Sequence, residues 1–261
     1  MPSFPRGRAL RPELMRLTIV GSGDAFGSGG RFNTCFLLET AKGVLAVDFG
    51  ASSLVALKAQ NVDPNRIDAI LLTHLHGDHF GGLPFLLLDA QFLAGRERPL
   101  VIAGPPGTRA RVEQACEVFF PLSTLNKWRF SWTFAELVVG ASTELLGHCV
   151  TTAEVSHFSG AASTAVRICD GEKVFAYSGD TEWVDQLCVV AKGADLFVVE
   201  CYQDSGHASG HMSWNILKER LGALQARRIM LTHMNPSMLA RLDEVRAHGL
   251  LAAEDGMVVD L

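Results

Sequence analysis

Thr73-His74-Leu75-His76-Gly77-Asp78-His79 sets three imidazoles and one carboxylate within six positions at the end of an apolar run. Nitrogen and oxygen donors packed this densely are what a metal site needs. Just upstream, Ile67-Asp68-Ala69-Ile70-Leu71-Leu72 reads as a short buried strand. The histidines therefore fall where a strand emerges into a loop, the place at which open α/β sheets bind their ligands. His74 and His76 are two apart and can point the same way from an extended loop, while Asp78 and His79 follow a flexible Gly77 and can turn toward a second ion. The spacing implies two metals. The alternative is a solvated loop that happens to be rich in histidine, and the surrounding chain has to decide between the two.

Further donors stand at comparable strand ends. Val150 to Val155 runs into Ser156-His157, Val174 to Tyr177 into Ser178-Gly179-Asp180-Thr181, and Ile229 to Leu231 into Thr232-His233. A single histidine so placed is as readily a satisfied core residue as a ligand. Three strand-end donors of the same kind reinforce one another.

With these residues in place the chain resembles the metallo-β-lactamase superfamily over nearly its whole length, from about Leu17 to Leu261. The resemblance rests on the H-x-H-x-D-H run from His74 to His79, followed in order by His157, Asp180 and His233. It implies an α/β fold, a four-layer αββα sandwich of two mixed sheets. It also implies that His74, His76 and His157 hold one metal, that Asp78, His79 and His233 hold the other, and that Asp180 bridges both. True β-lactamases of the superfamily generally place a cysteine in the bridging region, where this chain has Ser178-Gly179-Asp180-Thr181. That departure argues against antibiotic hydrolysis.

Within the superfamily the likeness is to the ribonuclease Z-like phosphodiesterases. Gly21-Ser22-Gly23-Asp24-Ala25-Phe26-Gly27, Tyr177-Ser178-Gly179-Asp180-Thr181, Val198-Val199-Glu200, His211-Met212-Ser213 and Leu231-Thr232-His233 look like that group's landmarks. The group's general acid is a histidine in an H-x-S/T setting oriented by a glutamate, which implies His211 and Glu200 here, with Asp78 joining them in the catalytic set. His207 is the competitor. Ser213 can cap a helix beginning at Trp214 and so hold His211 at the helix entrance, which favours His211. The implied function is phosphodiester hydrolysis of a small phosphodiester or cyclic nucleotide by a metal-bridging hydroxide. The residue types imply two zinc ions, with manganese or iron as alternatives because no thiolate forces the choice.

Two departures speak against transfer-RNA processing. Enzymes that grip transfer RNA usually carry a long arm between the third histidine and the bridging aspartate, but only Phe158 to Gly179 separates these here. After His233 the chain reads Met234-Asn235-Pro236-Ser237, without the Ser-Arg-Tyr that such enzymes often use near the phosphate. A lactonase, a thioester hydrolase or a ribonuclease Z-type endonuclease would use the same ligands. So would a metal-dependent binding protein without turnover.

Composition agrees with one enzyme domain. The 261 residues are 48% hydrophobic and 20% charged, ordinary for a soluble globule near the upper size for a single core. A net charge of −5 offers no general attraction to nucleic acid, so a small anionic substrate drawn by the metals is the expected partner. The aliphatic stretch at Leu83 to Leu88 contains Pro84 and is far short of the ~20 residues of a membrane span. Residues 1–14, with three prolines and three arginines, read as a loose tail before a single domain at 15–261. The six cysteines form no C-x-x-C pair and mostly sit in apolar runs, as expected of buried free thiols in the cytoplasm. The sequence leaves room for a homodimer.

Along the chain, strands are expected near Leu17 to Val20, Cys35 to Glu39, Gly43 to Asp48, Leu100 to Ala103, Thr133 to Tyr177, Leu196 to Glu200, Arg228 to Leu231 and Met257 to Leu261. Helices are expected near Ser52 to Gln60, Gly82 to Leu93, Thr108 to Phe119, Glu182 to Ala191, Trp214 to Leu224 and Ser237 to Ala247. The glycine-rich segment Gly21 to Gly30 is no dinucleotide fingerprint, because Phe26 takes the third glycine's place and a strand follows. It reads as a tight loop beside the metals, with Arg31 or backbone N–H groups free for a substrate phosphate.

Overall fold

The computed structural model describes residues 14–261; the expected N-terminal tail, apart from Leu14, lies outside the described residues. The first sheet begins with β1 (Arg16–Gly21), β2 (Cys35–Thr40) and β3 (Gly43–Val47), which pair antiparallel. β4 (Ala69–Leu71), β5 (Leu100–Gly104) and β6 (Trp132–Glu136) extend it in parallel. The second sheet opens with β7 (Ser142–Leu145), β8 (His148–Glu154), β9 (Thr164–Cys169) and β10 (Val174–Tyr177), all antiparallel. β11 (Leu196–Glu200), β12 (Ile229–Thr232) and β13 (Leu251–Ala252) continue it in parallel. β14 (Val258–Asp260) returns to the first sheet beside β1. Among the described residues each sheet has seven strands, and both sheets are mixed.

Strand periodicity builds the layers. On β2, Phe36 and Leu38 enter the cluster between the sheets, together with Leu45 and Val47 of β3, Phe175 and Tyr177 of β10, and Leu196 and Val198 of β11. The intervening residues Cys35, Leu37 and Ala46 face a second cluster. That cluster packs the first sheet against α1 (Ser53–Ala59), α2 (Gly77–Phe80), α3 (Leu83–Leu88) and α4 (Thr108–Phe119). Phe197, Val199 and Leu231 face a third cluster, against α5 (Gln186–Ala191), α6 (Trp214–Leu224), α7 (Pro236–Leu239) and α8 (Leu242–Ala247). Because successive side chains alternate between faces and both faces are covered, these strands read as continuous apolar runs rather than as alternating ones. The result is the αββα sandwich.

Several elements differ from the sequence reading. The helix expected at Gly82 to Leu93 is α3 followed by a wider helical turn at Asp89–Leu93. The helix expected from Glu182 starts only at Gln186, because Glu182 is engaged elsewhere, its carboxylate accepting the Gly210 N–H at 2.8 Å. The C-terminal helix is two short ones, with Asn235 capping α7 through the Met238 N–H. Asp78 and His79 lie on α2 rather than on a flexible loop. Only Cys35, Cys116 and Cys201 are buried; Cys149 is exposed and Cys169 and Cys188 are half-buried, although all six are free thiols.

Candidate metal centre

Strands of both sheets deliver donors to one edge of the sandwich. His74 follows β4, His157 follows β8, Asp180 follows β10, Glu200 ends β11 and His233 follows β12. Donor atoms of His74, His76 and His157 come within 4.8 Å of one another, as do those of Asp78, His79, Asp180 and His233. Asp180 stands between the groups. Its Oδ2 is 3.3 Å from Nε2 of both His79 and His233 and 3.9 Å from Nε2 of His74. Asp78 Oδ2 is likewise 3.3 Å from His79 and from His233.

The donors fit a metal by what they lack. Among the described residues, His74 Nε2, His79 Nε2 and Asp180 Oδ1 are buried without a hydrogen-bond partner, an arrangement that is costly unless something else satisfies them. The opposite ring nitrogens are held. His79 Nδ1 bonds Asp48 Oδ2 at 2.7 Å, His74 Nδ1 meets Thr73 Oγ1 at 3.1 Å, and His157 Nδ1 donates to the Gly210 carbonyl at 2.8 Å. Partners of this kind fix the tautomer and aim the free nitrogen inward.

Local backbone makes these aims achievable. Asp48 and His233 adopt left-handed φ angles of 58° and 60°, a strained conformation that tends to persist at functional sites. From there Asp48 accepts the Thr73 N–H at 2.8 Å and reaches His79. Gly50 lets this turn abut α2, since a Cβ there would lie 2.0 Å from the Asp78 carbonyl oxygen. Gly210, at φ 79°, sets its carbonyl against His157.

Charge separates the two donor groups. Burial lowers His74 well below the ordinary imidazole value, with His79 adding to the effect, and burial also lowers His76 and His157. These three are neutral, with lone pairs ready for a cation. Burial opposes protonation of His79 as well, but the carboxylates of Asp180, Asp78 and Asp48 outweigh it and hold His79 well above its usual range. His233 is raised against the same burial by Asp180 and Asp78. In this second group the carboxylates of Asp78 and Asp180 lie 3.3 Å from His79 and His233 and favour the protonated form of both rings.

Beside the cluster, His211 Nδ1 lies 3.2 Å from Glu200 Oε2. Its ring stands 4.9 Å from that of His157 and stacks on that of His233 at 5.7 Å. The Glu200 hydrogen bond and charge outweigh burial and raise His211 to about 9. Burial, with Asp180 adding to it, raises Glu200 to about 6. His207 is 72% exposed and 4.0 Å from Glu182, so the geometry brings His211 to the donors and leaves His207 outside. Ser213 occupies the N-cap position of α6, but its hydroxyl bonds Asn215 instead of capping.

The sequence reading missed Asp48, Gly210 and Tyr202, whose ring lies 4.9 Å from that of His211. An Asp-Phe-Gly turn closing an apolar strand was the available signal for the first. The glycine-rich segment is corrected in another respect. Arg31 is spent on the Ala253 carbonyl and Ser22 Oγ, and Asp24 takes the N–H groups of Phe26 and Ser28. These contacts engage Arg31 Nη1 and the N–H groups of Phe26 and Ser28 within the protein. The loop instead supports the centre, the Ser22 carbonyl accepting the His233 N–H at 3.1 Å.

Residues 15–255 match the family model described as Anti-Pycsar protein Apyc1, and the chain belongs to that family. It is 24% identical to ribonuclease Z of Methanothermobacter thermautotrophicus over 85% of this chain and 87% of that one. It is 28% identical to the probable metallo-hydrolase YhfI of Bacillus subtilis, over 84% and 87% respectively. The crystal structure of YhfI superposes with a TM-score of 0.76 at 23% identity, covering 95% of this chain and all of that one. The short form of human tRNase Z gives 0.76 at 23% identity, covering 94% and 98%. The shared architecture is the metallo-β-lactamase fold.

Proposed function

We propose that this member of the Apyc1 family is a two-metal phosphodiesterase acting on a small phosphodiester or cyclic nucleotide. One observation carries the proposal: two convergent donor groups meet at Asp180, with a glutamate-held histidine beside them. His74, His76 and His157 would hold one divalent cation, Asp78, His79 and His233 the other, and Asp180 would serve both. Zinc suits imidazole and carboxylate donors, with manganese or iron as alternatives. When bound, the cations would lower the pKa of water and neutralise phosphate charge.

The chain's own part is orientation and proton transfer. Asp48, Thr73 and the Gly210 carbonyl hold three imidazoles from behind, so the donors are set before any ligand arrives. His211 carries a proton at neutral pH because Glu200 stabilises the imidazolium. It can pass that proton to the oxygen of a leaving alcohol. Lactone opening needs no such donor, so the His211–Glu200 pair favours a phosphodiester over the lactonase and thioesterase alternatives. Segment 158–179 is occupied by the loop after His157 and the β9–β10 hairpin, and among the described residues it raises no arm. This supports a small substrate over transfer RNA. No helix of the described residues is long and apolar enough to cross a membrane, and the free thiols suit a cytoplasmic setting.

A side-by-side assay of the metal-loaded protein on an aryl phosphodiester, a cyclic nucleotide, a lactone and precursor transfer RNA tests the proposal. Fast turnover of the first two is expected. Preference for the lactone, or efficient release of a transfer-RNA trailer, would overturn it.

A further inference from the structure

Cys149 of β8 and Cys169 of β9 stand directly opposite each other across an antiparallel ladder. Among the described residues no other two cysteines are ladder partners. Side-chain alternation fixes the face they share. Val150 of β8 and Val166 and Ile168 of β9 enter the cluster between the sheets, so Cys149 and Cys169 turn to the outer face. On that face Ala153 and Ala165 pack into the cluster that includes α5, but the cysteines are not part of it. Cys149 is exposed and Cys169 half-buried, and solvent reaches the pair.

The hydrogen-bond phase of the ladder sets their spacing. The Val155 N–H donates to the Ser163 carbonyl at 2.9 Å, which makes these two residues a bonded pair in the same register. Bonded pairs recur at every second residue, so Cys149 and Cys169 form one too. The Cα atoms of such pairs stand about 5.5 Å apart, inside the span of about 4.4–6.8 Å that a disulfide bridges. The Cys169 sulfur accepts the Gly171 N–H at 3.4 Å and therefore sits over the β9–β10 hairpin, not in the core. At about 3.3 Å per residue, Cys149 is roughly 20 Å down the strand from Val155, beyond which His157 joins the metal donors. The thiols are thus well away from the metal centre.

We infer that Cys149 and Cys169 form a reversible dithiol–disulfide site, oxidised by a small disulfide such as glutathione disulfide, whose closure staples β8 to β9 and ties off the segment that carries His157. The Cys149 thiolate attacks one sulfur of the oxidant, forming a mixed disulfide and releasing one glutathione thiol. Cys169 then displaces the second glutathione and completes the bond between the strands. Two protein thiols give up two electrons and two protons, and the oxidant leaves as two thiols. Excess reduced thiol runs both steps backward. Closing a loop of about 20 residues restricts chiefly the unfolded chain, so the oxidised protein is the more stable form. Nothing in this site depends on the phosphodiesterase reading.

The test equilibrates the metal-loaded protein with excess glutathione disulfide, alkylates the remaining thiols and maps the non-reduced peptides by mass spectrometry. Alkylated thiols should fall from six to four, with one peptide pair joined through Cys149 and Cys169. The thermal midpoint should rise by about 5 °C and return in dithiothreitol. Cys149→Ser and Cys169→Ser should each lose the cross-link and the rise, the surviving cysteine carrying one glutathione, whereas Cys188→Ser should keep both. Six free thiols after equilibration, glutathione on both cysteines without a cross-link, or a cross-link to Cys188 would overturn the site. So would a Cys149–Cys169 link made between two chains, seen as a dimer on a non-reducing gel, or one that leaves the midpoint unchanged.

Discussion

His211 Nδ1 lies 3.2 Å from Oε2 of the fully buried Glu200, and the second carboxylate oxygen of Glu200 accepts the N–H of Thr181, the residue after Asp180. One glutamate thus ties His211 to the segment that presents Asp180. The His211→Ala protein should keep both metals and the fold, yet lose about 10²–10⁴ in turnover of phosphodiesters with poor leaving groups. Esters of acidic phenols, which leave without a proton, should suffer much less. Rates on the two ester types decide the role: an equal loss on both would assign His211 to charge stabilisation instead.

Asp180→Ala removes the one carboxylate that, among the described residues, lies within 3.9 Å of donors from both groups. It should therefore empty both positions, not one. Elemental analysis after gel filtration would contradict this by finding two ions still bound.

His74, His157, Asp180 and His233 were legible as candidate donors because each follows an apolar strand, and a strand end is a short-range feature that six or seven residues define. The αββα layers were expected from the resemblance, because strands buried on both faces read as continuous apolar runs whose periodicity does not set the layers. Asp48 was not legible in the same way. It is one acidic residue among 28, and its contact with His79 exists only after β3 and β4 have paired. The tie from Arg31 was hidden for a related reason: its acceptor, the Ala253 carbonyl, is 222 residues distant in the chain. The helix expected from Glu182 begins four residues later, at Gln186, while the Glu182 carboxylate is turned to the distant Gly210 N–H.

Asp48→Asn keeps a residue type that tolerates a left-handed φ but removes the negative charge behind His79. Metal affinity or phosphodiesterase activity should fall by about 10–100-fold with the thermal midpoint little changed. An unaltered affinity would show that the 2.7 Å contact orients the ring without tuning it.

Metal uptake should release protons. In the metal-free protein His79 and His233 are held above the ordinary imidazole range by Asp180 and Asp78, against the opposing effect of burial. Both hold a proton more firmly than an ordinary imidazole and must give it up to donate a lone pair. Apparent metal affinity should therefore climb as pH rises through neutrality. Calorimetry in two buffers of different ionisation enthalpy counts the protons; a count of zero with a flat pH dependence would refute this.

The dinuclear phosphodiesterase itself is tested most directly by returning zinc or manganese stepwise to chelator-stripped protein while following hydrolysis of an aryl phosphodiester. Activity should stay low at the first equivalent per chain and reach its plateau near two. Full activity at one equivalent, or none at two, would contradict the account.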